Sequence, residues 1–293
     1  MQPYPFIFVS PATRGLSLAI TRHLLRTTDL PVFATYRSGD PHAVHAQILA
    51  PLRKTDTEAN NAGSAPVDPA RLHLLHLELT SDASIARAAE ALAGALPRAK
   101  GVRPFIHTAF LTGGVLHPER RPEDFDAALL HETFGMNVIS HMLLIKHFKR
   151  FLPSAAVVQS SGSQSGKGEK GEGGGEGGER HLTKWVHVSA RVGSISDNSL
   201  GGWYSYRASK SALNQVIRTF DLYLRSHAIP AMCVGVHPGT VKTDLSREFW
   251  GSVEEGKLFE PQDAARMVVD VVRDLGEDKR GGVWDWKGDR VPP

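Results

Sequence analysis

Length, composition and charge place this chain among ordinary globular proteins. It has 293 residues, 34 Lys and Arg against 31 Asp and Glu, a formal charge of +3 and 41% hydrophobic residues, which is typical of a globular domain. Because the charges are spread along the chain without a block of Lys or Arg, this balance disfavours a nucleic-acid binder. The single cysteine, Cys233, excludes an intramolecular disulfide and fits a reducing compartment.

The sequence contains no apolar run of the roughly 20 residues that a membrane-spanning helix needs, and no basic leader precedes the first apolar run. We therefore expect a soluble, cytoplasmic protein that makes no membrane contact. The 14 histidines include no H-E-x-x-H pattern, so no metal site is predicted.

Short apolar runs alternate with helical patterns along the chain. The predicted strands lie at residues 6–9, 32–36, 72–79, 104–109, 185–189, 231–236 and 282–286. The helical patterns lie at residues 16–25, 85–96, 125–151, 206–226 and 261–275. This alternation predicts an α/β fold with a doubly wound, parallel, seven-stranded sheet of the Rossmann type, whose ligand lies beyond the carboxyl ends of the strands.

Two polar segments interrupt the alternation. Residues 53–70 are predicted to form a polar loop insertion. Residues 160–184 contain a Gly/Glu/Lys-rich stretch, 161–180, with nine glycines. They are expected to be disordered, since that stretch offers no apolar side chain to offset the entropy of ordering. The 250 residues that remain suit a single domain spanning residues 1–293.

The strongest chemical signal is the sequence Tyr-Arg-Ala-Ser-Lys at residues 206–210. On a helix, Tyr206 and Lys210 lie on the same face. A nearby ammonium favours the phenolate and lowers the pKa of the phenol, which lets the tyrosine exchange a proton with a carbonyl or hydroxyl oxygen. Tyr204 has Ala208 at the equivalent spacing and so has no such partner. Any helix can place Tyr and Lys four apart by chance, so the assignment depends on the surrounding motifs.

The order of the motifs resembles the short-chain dehydrogenase/reductase family over nearly the whole chain apart from the two insertions. The segments SARVGSISDNSLGGWYSYRASKSALNQ, at 189–215, and VWDWKGDRVP, at 283–292, are most similar to its C-factor-like branch. The resemblance implies that Tyr206 is the catalytic acid/base and that Lys210 lowers its pKa and binds the nicotinamide ribose. It also implies that Asn137 holds a water behind Lys210; the alternative is a polar residue that caps or kinks a helix.

The sequence departs from the family at the catalytic serine. The resemblance implies a pair of serines after the fifth strand, but the second position is Ala190. Ser189 is one candidate for the missing hydroxyl, although it should point to the opposite side of the strand from Ala190. Ser194 is the favoured candidate, because it lies in the loop that lines the substrate pocket in relatives.

The phosphate-binding turn also departs from the family pattern T-G-x-x-x-G-x-G. Residues 10–17 read SPATRGLS and keep only the middle glycine, and Pro11 lacks an N–H donor. The turn still follows a strand and opens a helix whose amides can face a pyrophosphate. Predicted cofactor contacts here are Ser10, Arg14, Gly15 and Leu16.

The end of the second strand predicts the choice of cofactor. No acidic residue is present to bind a ribose 2′-hydroxyl; the sequence is Tyr-Arg-Ser at 36–38. Arg37 offers a guanidinium to a 2′-phosphate, with Arg14 as a second cation. We therefore predict NADP(H); the alternative is that Arg37 is a solvated surface charge.

Further cofactor contacts are implied by the resemblance alone. Glu78 and Leu79 are expected against the adenine. Thr108 and Ala109 lie in the sequence that replaces the family's Asn-Asn-Ala-Gly, where backbone contacts are expected. The remaining candidates match P-G-x-V-x-T beside the nicotinamide: Pro238, Gly239, Val241 and Thr243. Residues 245–260 are expected to form a substrate lid.

Together these features predict an NADP(H)-dependent oxidoreductase that interconverts a carbonyl and an alcohol on a small-molecule substrate. The oligomeric state stays open; the resemblance admits a homodimer or homotetramer, since the helices after the fourth and fifth strands form dimer interfaces in many relatives. Ala190, Pro11 and the missing Asn-Asn-Ala-Gly keep open an alternative, a catalytically weak or inactive NADP(H)-binding sensor. A third hypothesis is an interaction scaffold that uses the Gly-rich insertion. The sequence does not identify the substrate.

Overall fold

A parallel sheet forms the centre of the molecule. In chain order, its strands are β1 (Gln2–Ser10), β2 (Val32–Tyr36), β3 (Leu72–His76), β4 (Val102–Leu111), β5 (Thr183–Val188) and β6 (Ala231–His237); β7 (Thr240–Val241) and β8 (Leu258–Phe259) form a separate pair, and β9 (Val283–Asp285) completes the sheet. The strand order is β3-β2-β1-β4-β5-β6-β9, with parallel pairing throughout. This confirms the predicted doubly wound, seven-stranded sheet.

Helices cover both faces of this sheet. They are α1 (Gly15–Thr27), α2 (Pro41–Arg53), α3 (Asp82–Ala95), α4 (Ala127–Phe134), α5 (Ser140–Phe148), α6 (Tyr204–Ser226) and α7 (Pro261–Asp274). Successive side chains of β1 enter opposite cores, because strand side chains alternate between faces. Phe6 and Phe8 pack with α3, α5 and α6, whereas Ile7 and Val9 pack with α1, α2 and α7. Burial on both faces explains why the strands read as continuous apolar runs.

The computed structural model describes residues 2–53, 66–155 and 182–293. Most of the two predicted insertions, 53–70 and 160–184, therefore lies outside the described residues. Within those ranges, no helix is long and apolar enough to cross a membrane. The described residues also contain no group of three or more His, Cys, Asp or Glu side chains that could hold a metal ion.

Several element boundaries differ from the predicted ones. Helix α2 was not predicted, and the single helical pattern at 125–151 is divided by a π-helical turn, Gly135–Ile139. Strand β5 begins at Thr183, so the last two residues of the predicted 160–184 insertion belong to the sheet. Strand β4 continues to Leu111 because its pairing with β1 extends to Ser10. Strand pairing, which the apolar pattern does not report, sets the two strand boundaries.

Candidate active site

Tyr206 and Lys210 lie together in the first turns of α6, at the carboxyl end of β5. Their relative exposures are 9% and 3%. The Lys210 Nζ lies 5.7 Å from the centre of the Tyr206 ring and donates a hydrogen bond of 2.9 Å to the carbonyl oxygen of Val188, the last residue of β5. The helix thus places both side chains on one face, and the end of the neighbouring strand fixes the ammonium.

Burial dominates the ionisation of this pair. It raises the pKa of Tyr206 to about 12 and lowers the pKa of Lys210 to about 8, because a low-dielectric surrounding disfavours the charged form of each group. Desolvation is the cause that raises the pKa of the phenol in the protein alone, and the lowering of that pKa by Lys210 stays a prediction. The phenol is protonated at neutral pH, the state in which it can donate a proton.

Asn137 lies in the π-helical turn between α4 and α5 and is fully buried. Its Oδ1 accepts a hydrogen bond from the Val115 amide at 2.8 Å. Its Nδ2 donates to the Val115 carbonyl at 2.9 Å and to the Ser209 Oγ at 3.0 Å. Gly114 lies beside both Asn137 and Lys210. A Cβ on this glycine would lie 3.5 Å from Asn137 Oδ1 and 3.7 Å from Lys210 Nζ. The side-chain amide holds the loop after β4 against α6, and its contact with a water stays a prediction.

The two candidate serines lie in the loop that follows β5, and the hydroxyls of both are already hydrogen-bonded. Ser189 Oγ donates to Asn214 Oδ1 at 2.5 Å. Ser194 Oγ donates to the Pro293 carbonyl at 3.0 Å and accepts from the Asp197 amide at 3.0 Å. Either hydroxyl would have to give up a hydrogen bond to reach a substrate oxygen, so a catalytic role for either serine stays a prediction.

Gly193 allows the same loop to pack directly on the helix that carries the Tyr–Lys pair. A Cβ at this position would lie 2.8 Å from both the carbonyl carbon and the Cβ of Lys210. Real Cβ atoms do not approach backbone this closely, so only glycine permits the contact.

Replacing Gly193 by Ala is therefore expected to destabilise the protein by about 1–3 kcal/mol, the usual cost of overpacking, and to displace Lys210. Urea unfolding and the steady-state kinetics measure the two effects. Gly94→Ala is the matched control: this exposed helical glycine has open space around its Cβ position and should gain about 0.5–1 kcal/mol. A Gly193→Ala variant as stable and active as the wild type would contradict the close-packing interpretation.

The turn between β1 and α1 has the features of an anion site. Gly15 begins α1 with φ +53°, and the first turn of α1 has neither a side-chain cap nor an acidic residue. The amide groups of that turn, including those of Gly15 and Leu16, are thus open to a negatively charged group. Arg14 precedes the helix and is exposed. Ser10, by contrast, is fully buried, and its Oγ accepts from Thr35 Oγ1 at 2.9 Å, which ties β1 to β2.

The turn after β6 packs against this first turn of α1. A Cβ on Gly15 would lie 3.1 Å from Thr243 Cγ2. Gly239, with φ +75°, approaches Phe259 so closely that a Cβ would lie 2.5 Å from the ring. Pro238 and Val241 are buried in the same turn. The structure therefore brings together two sets of predicted cofactor contacts that are more than 200 residues apart in the sequence.

Arg37 and Glu78 are neighbours beyond the ends of β2 and β3. The Arg37 Nε lies 3.8 Å from a Glu78 carboxylate oxygen, and the side chains are 64% and 32% exposed. Leu79 follows and is buried against the loop after β4, where a Cβ on Gly113 would lie 2.8 Å from its Cδ1. An exposed pair at this distance is weakly held, so Arg37 is available to an anion.

The predictions for Thr108 and Ala109 need correction. Both residues are buried inside β4, where they pair with Lys184 and Trp185 of β5. The strand continues past them because its pairing with β1 runs to Leu111. The segment that meets Asn137 and Lys210 is residues 112–115, Thr-Gly-Gly-Val. The glycine pair was the signal that could have identified it.

Glu119 was not predicted as part of the site. It is 6% exposed; its Oε2 accepts from the Ser205 amide at 3.3 Å, and its carbonyl accepts from the Trp203 amide at 2.7 Å. Helix α6 has no side-chain cap of its own, since Trp203 precedes it in the left-handed region with φ 50°. The buried carboxylate thus stabilises the amino end of the helix that carries Tyr206.

Aromatic rings connect Tyr206 to the predicted lid. The Trp203 ring lies 6.1 Å from the Tyr206 ring and 4.6 Å from the Phe249 ring. Phe249 belongs to a 3₁₀ segment, Asp244–Ser252, in which Trp250 Nε1 donates to Ser246 Oγ at 2.9 Å. Apolar aromatic surface therefore extends from the phenol to this segment.

Comparisons with known proteins agree with this geometry. No family model matches the chain. It is 34% identical to C-signal of Myxococcus xanthus over 111 residues, 38% of this chain and 61% of that protein. It is 37% identical to 1-hydroxy-2-glutathionyl-2-methyl-3-butene dehydrogenase of Rhodococcus sp. (strain AD45) over 94 residues, 32% of this chain and 39% of that protein. The matches thus span less than two thirds of either relative.

Solved structures match over the full length. The NADPH-bound carbonyl reductase from chicken fatty liver has a TM-score of 0.74 and 25% identity, with 100% of both chains covered. Carbonyl reductase Sniffer of D. melanogaster has a TM-score of 0.73 at 20% identity, with the same coverage, which shows the fold. The ordered motifs, the sheet and the Tyr–Lys pair resemble those of short-chain dehydrogenases/reductases, and these likenesses show that the chain shares their fold.

Proposed function

We propose that this protein is an NADP(H)-dependent oxidoreductase that interconverts a small-molecule carbonyl compound and the corresponding alcohol. The observation that carries the proposal is the buried Tyr206–Lys210 pair at the carboxyl end of β5. The likeness to an NADPH-bound carbonyl reductase supports the cofactor and the reaction class.

The residues present fit a dinucleotide phosphate. The order of the strands reverses between β1 and β4, which opens a crevice at the carboxyl edge of the sheet. The open amides of Gly15 and Leu16 suit a pyrophosphate, and the exposed guanidinium of Arg37 suits a 2′-phosphate. The turn that contains Thr243 packs directly against Gly15.

The chain's own groups account for the proton transfer. A bound reduced nicotinamide would supply the hydride. Tyr206, protonated at neutral pH because burial raises the pKa of its phenol, would donate its proton to the carbonyl oxygen as that oxygen gains negative charge. Lys210, held by Val188, would stabilise the phenolate that remains and orient a ribose hydroxyl. In the reverse direction the phenolate accepts the alcohol proton.

The test is NADPH oxidation by the wild-type protein against a panel of aldehydes, ketones and quinones, followed by NADPH absorbance. We expect turnover on at least one class of carbonyl. Tight NADPH binding without turnover on any of them would favour the second candidate, a nucleotide-binding sensor. That candidate is supported by Ala190 and by the hydrogen bonds that occupy Ser189 and Ser194.

Replacing Arg37 by Glu is expected to weaken NADPH binding about 10- to 150-fold while NADH binding changes little. The reason is that a charge-assisted hydrogen bond to the 2′-phosphate is worth about 1.5–3 kcal/mol. Fluorescence titration with both nucleotides measures the ratio. Arg103→Glu is the control: it makes the same change in net charge near the start of β4, at the amino ends of the strands. It should leave the ratio of the NADPH and NADH affinities unchanged. Equal NADPH affinity in Arg37→Glu and the wild type would refute this role of Arg37.

A further inference from the structure

Two histidines form a buried pair behind the Tyr–Lys site. His141, on α5, and His187, on β5, are both 0% exposed, and their Nδ1 atoms lie 2.7 Å apart. His141 Nε2 lies 3.0 Å from the Gly113 carbonyl oxygen. At the other end, Trp185 Nε1 lies 3.0 Å from His187 Nε2. The four groups form one continuous chain of hydrogen bonds.

The end groups determine where each proton lies. An indole N–H only donates, so His187 Nε2 must accept, and a neutral His187 carries its proton on Nδ1. His141 Nδ1 then accepts from His187, and the proton of His141 lies on Nε2, where it donates to the Gly113 carbonyl. A second proton on His141 would set two Nδ1–H groups against each other at 2.7 Å. A second proton on His187 would set its Nε2–H against the Trp185 N–H at 3.0 Å. The geometry therefore requires two neutral rings with different tautomers.

The electrostatic surroundings favour the same state. Burial and the positive charge of Lys210 both lower the pKa of His141, to about 3. The pKa of His187 is lowered in the same direction by burial, by His141 and by Lys210. The pair thus contributes hydrogen bonds beside Lys210 without contributing a second positive charge.

The receiving carbonyl belongs to the loop that meets the site. Thr112 N donates to the Ser10 carbonyl at 2.8 Å, and Asn137 holds both backbone groups of Val115. His141 holds the Gly113 carbonyl between these two anchors. Gly114, the next residue, lies against Asn137 Oδ1 and Lys210 Nζ. The position of this peptide thus depends on the histidine pair.

We propose that the neutral His141–His187 pair is a positioning unit that holds the Gly113–Gly114 peptide against Lys210 and so sets the cofactor side of the site. The structural half of this proposal stands by itself. The kinetic half rests on the proposed function.

The structural half is tested by two-bond ¹H–¹⁵N correlation NMR of the wild-type protein at neutral pH. We expect one buried ring with its proton on Nδ1, lost in His187→Asn, and one with its proton on Nε2, lost in His141→Gln. A cationic ring at either position, or the same tautomer at both, would overturn the proposal whether or not the protein reduces any carbonyl.

The kinetic half compares two replacements of His141. The His141→Leu variant leaves the Gly113 carbonyl and the His187 Nδ1–H without partners. We expect its KM for NADPH to rise about tenfold and its kcat to fall. Gln provides both an N–H donor and a carbonyl acceptor and should restore most of the loss. His147→Gln is the matched control, since His147 lies on the same helix but contacts Asp82 at the surface.

The outcomes separate positioning from simple packing. The proposal would be overturned if both His141 variants lost the same thermal stability and kept wild-type kinetics. It would also be overturned if His141→Gln had the same KM for NADPH and the same kcat as His141→Leu. If His141→Leu does not fold, the kinetics of His141→Gln and the tautomers of the wild-type protein still test the proposal. Where the wild type turns over no substrate, the dissociation constant for NADPH replaces KM, and the proposed function fails separately.

Discussion

Replacing Tyr206 by Phe is expected to lower kcat for carbonyl reduction by about 10²–10⁴-fold, the usual contribution of a positioned acid, while NADPH binding stays close to that of the wild type. The substitution removes only the hydroxyl and keeps the ring, which lies 6.1 Å from the ring of Trp203. Burial keeps the phenol protonated at neutral pH, so the wild type has a proton to donate and the variant has none.

The measurement is kcat with saturating NADPH on the best substrate of the panel, alongside a fluorescence titration with NADPH. Tyr204→Phe is the matched control, because Tyr204 lies on the same helix, is 42% exposed and has Ala208 in the position that Lys210 occupies relative to Tyr206. The control should keep wild-type kcat. A Tyr206→Phe variant that retains full turnover would rule out the phenol as the acid and would point to another proton donor.

The free energy of unfolding is expected to fall steeply as the pH is lowered from about 6.5 towards 4. His141 and His187 are buried and His237 is partly buried. Desolvation is the largest cause that lowers the pKa of each. The pKa of His141 falls to about 3 and that of His237 to about 4. In the unfolded chain the three histidines titrate near 6.5. Between these values the unfolded state binds protons that the folded state does not, so acid favours unfolding.

The expected slope is roughly 4 kcal/mol for each pH unit when all three histidines are counted, a large part of the 5–15 kcal/mol of stability typical of a domain. Urea unfolding at a series of pH values between 6.5 and 5, above the range in which most carboxylates titrate, measures it. His237→Gln should reduce the slope by the contribution of one proton, whereas His42→Gln, at an exposed position, should leave it unchanged. Stability that stays constant over this range would show that the buried rings are accessible to protons in the folded state.

Much of the fold could be predicted from local patterns. All seven of the apolar runs that were predicted as strands overlap a strand of the central sheet by most of their length. The spacing of Tyr206 and Lys210 predicted the shared helix face that the structure shows. The predictions failed where pairing extended an element, as in β4, whose continuation to Leu111 moved the site loop to residues 112–115. An apolar pattern reports burial, and it does not report where a neighbouring strand stops supplying hydrogen bonds.

By itself the sequence determined the alternation of strands and helices, the absence of a disulfide framework and the Tyr–Lys spacing, because each depends on composition or on residues a few positions apart. Only the tertiary structure decided which distant groups meet. His141 and His187 are 46 positions apart, and Glu119 reaches the amide of Ser205 from 86 positions away. Such contacts leave no periodic signal, since a hydrogen bond between distant segments depends on how the sheet and its loops bring them together.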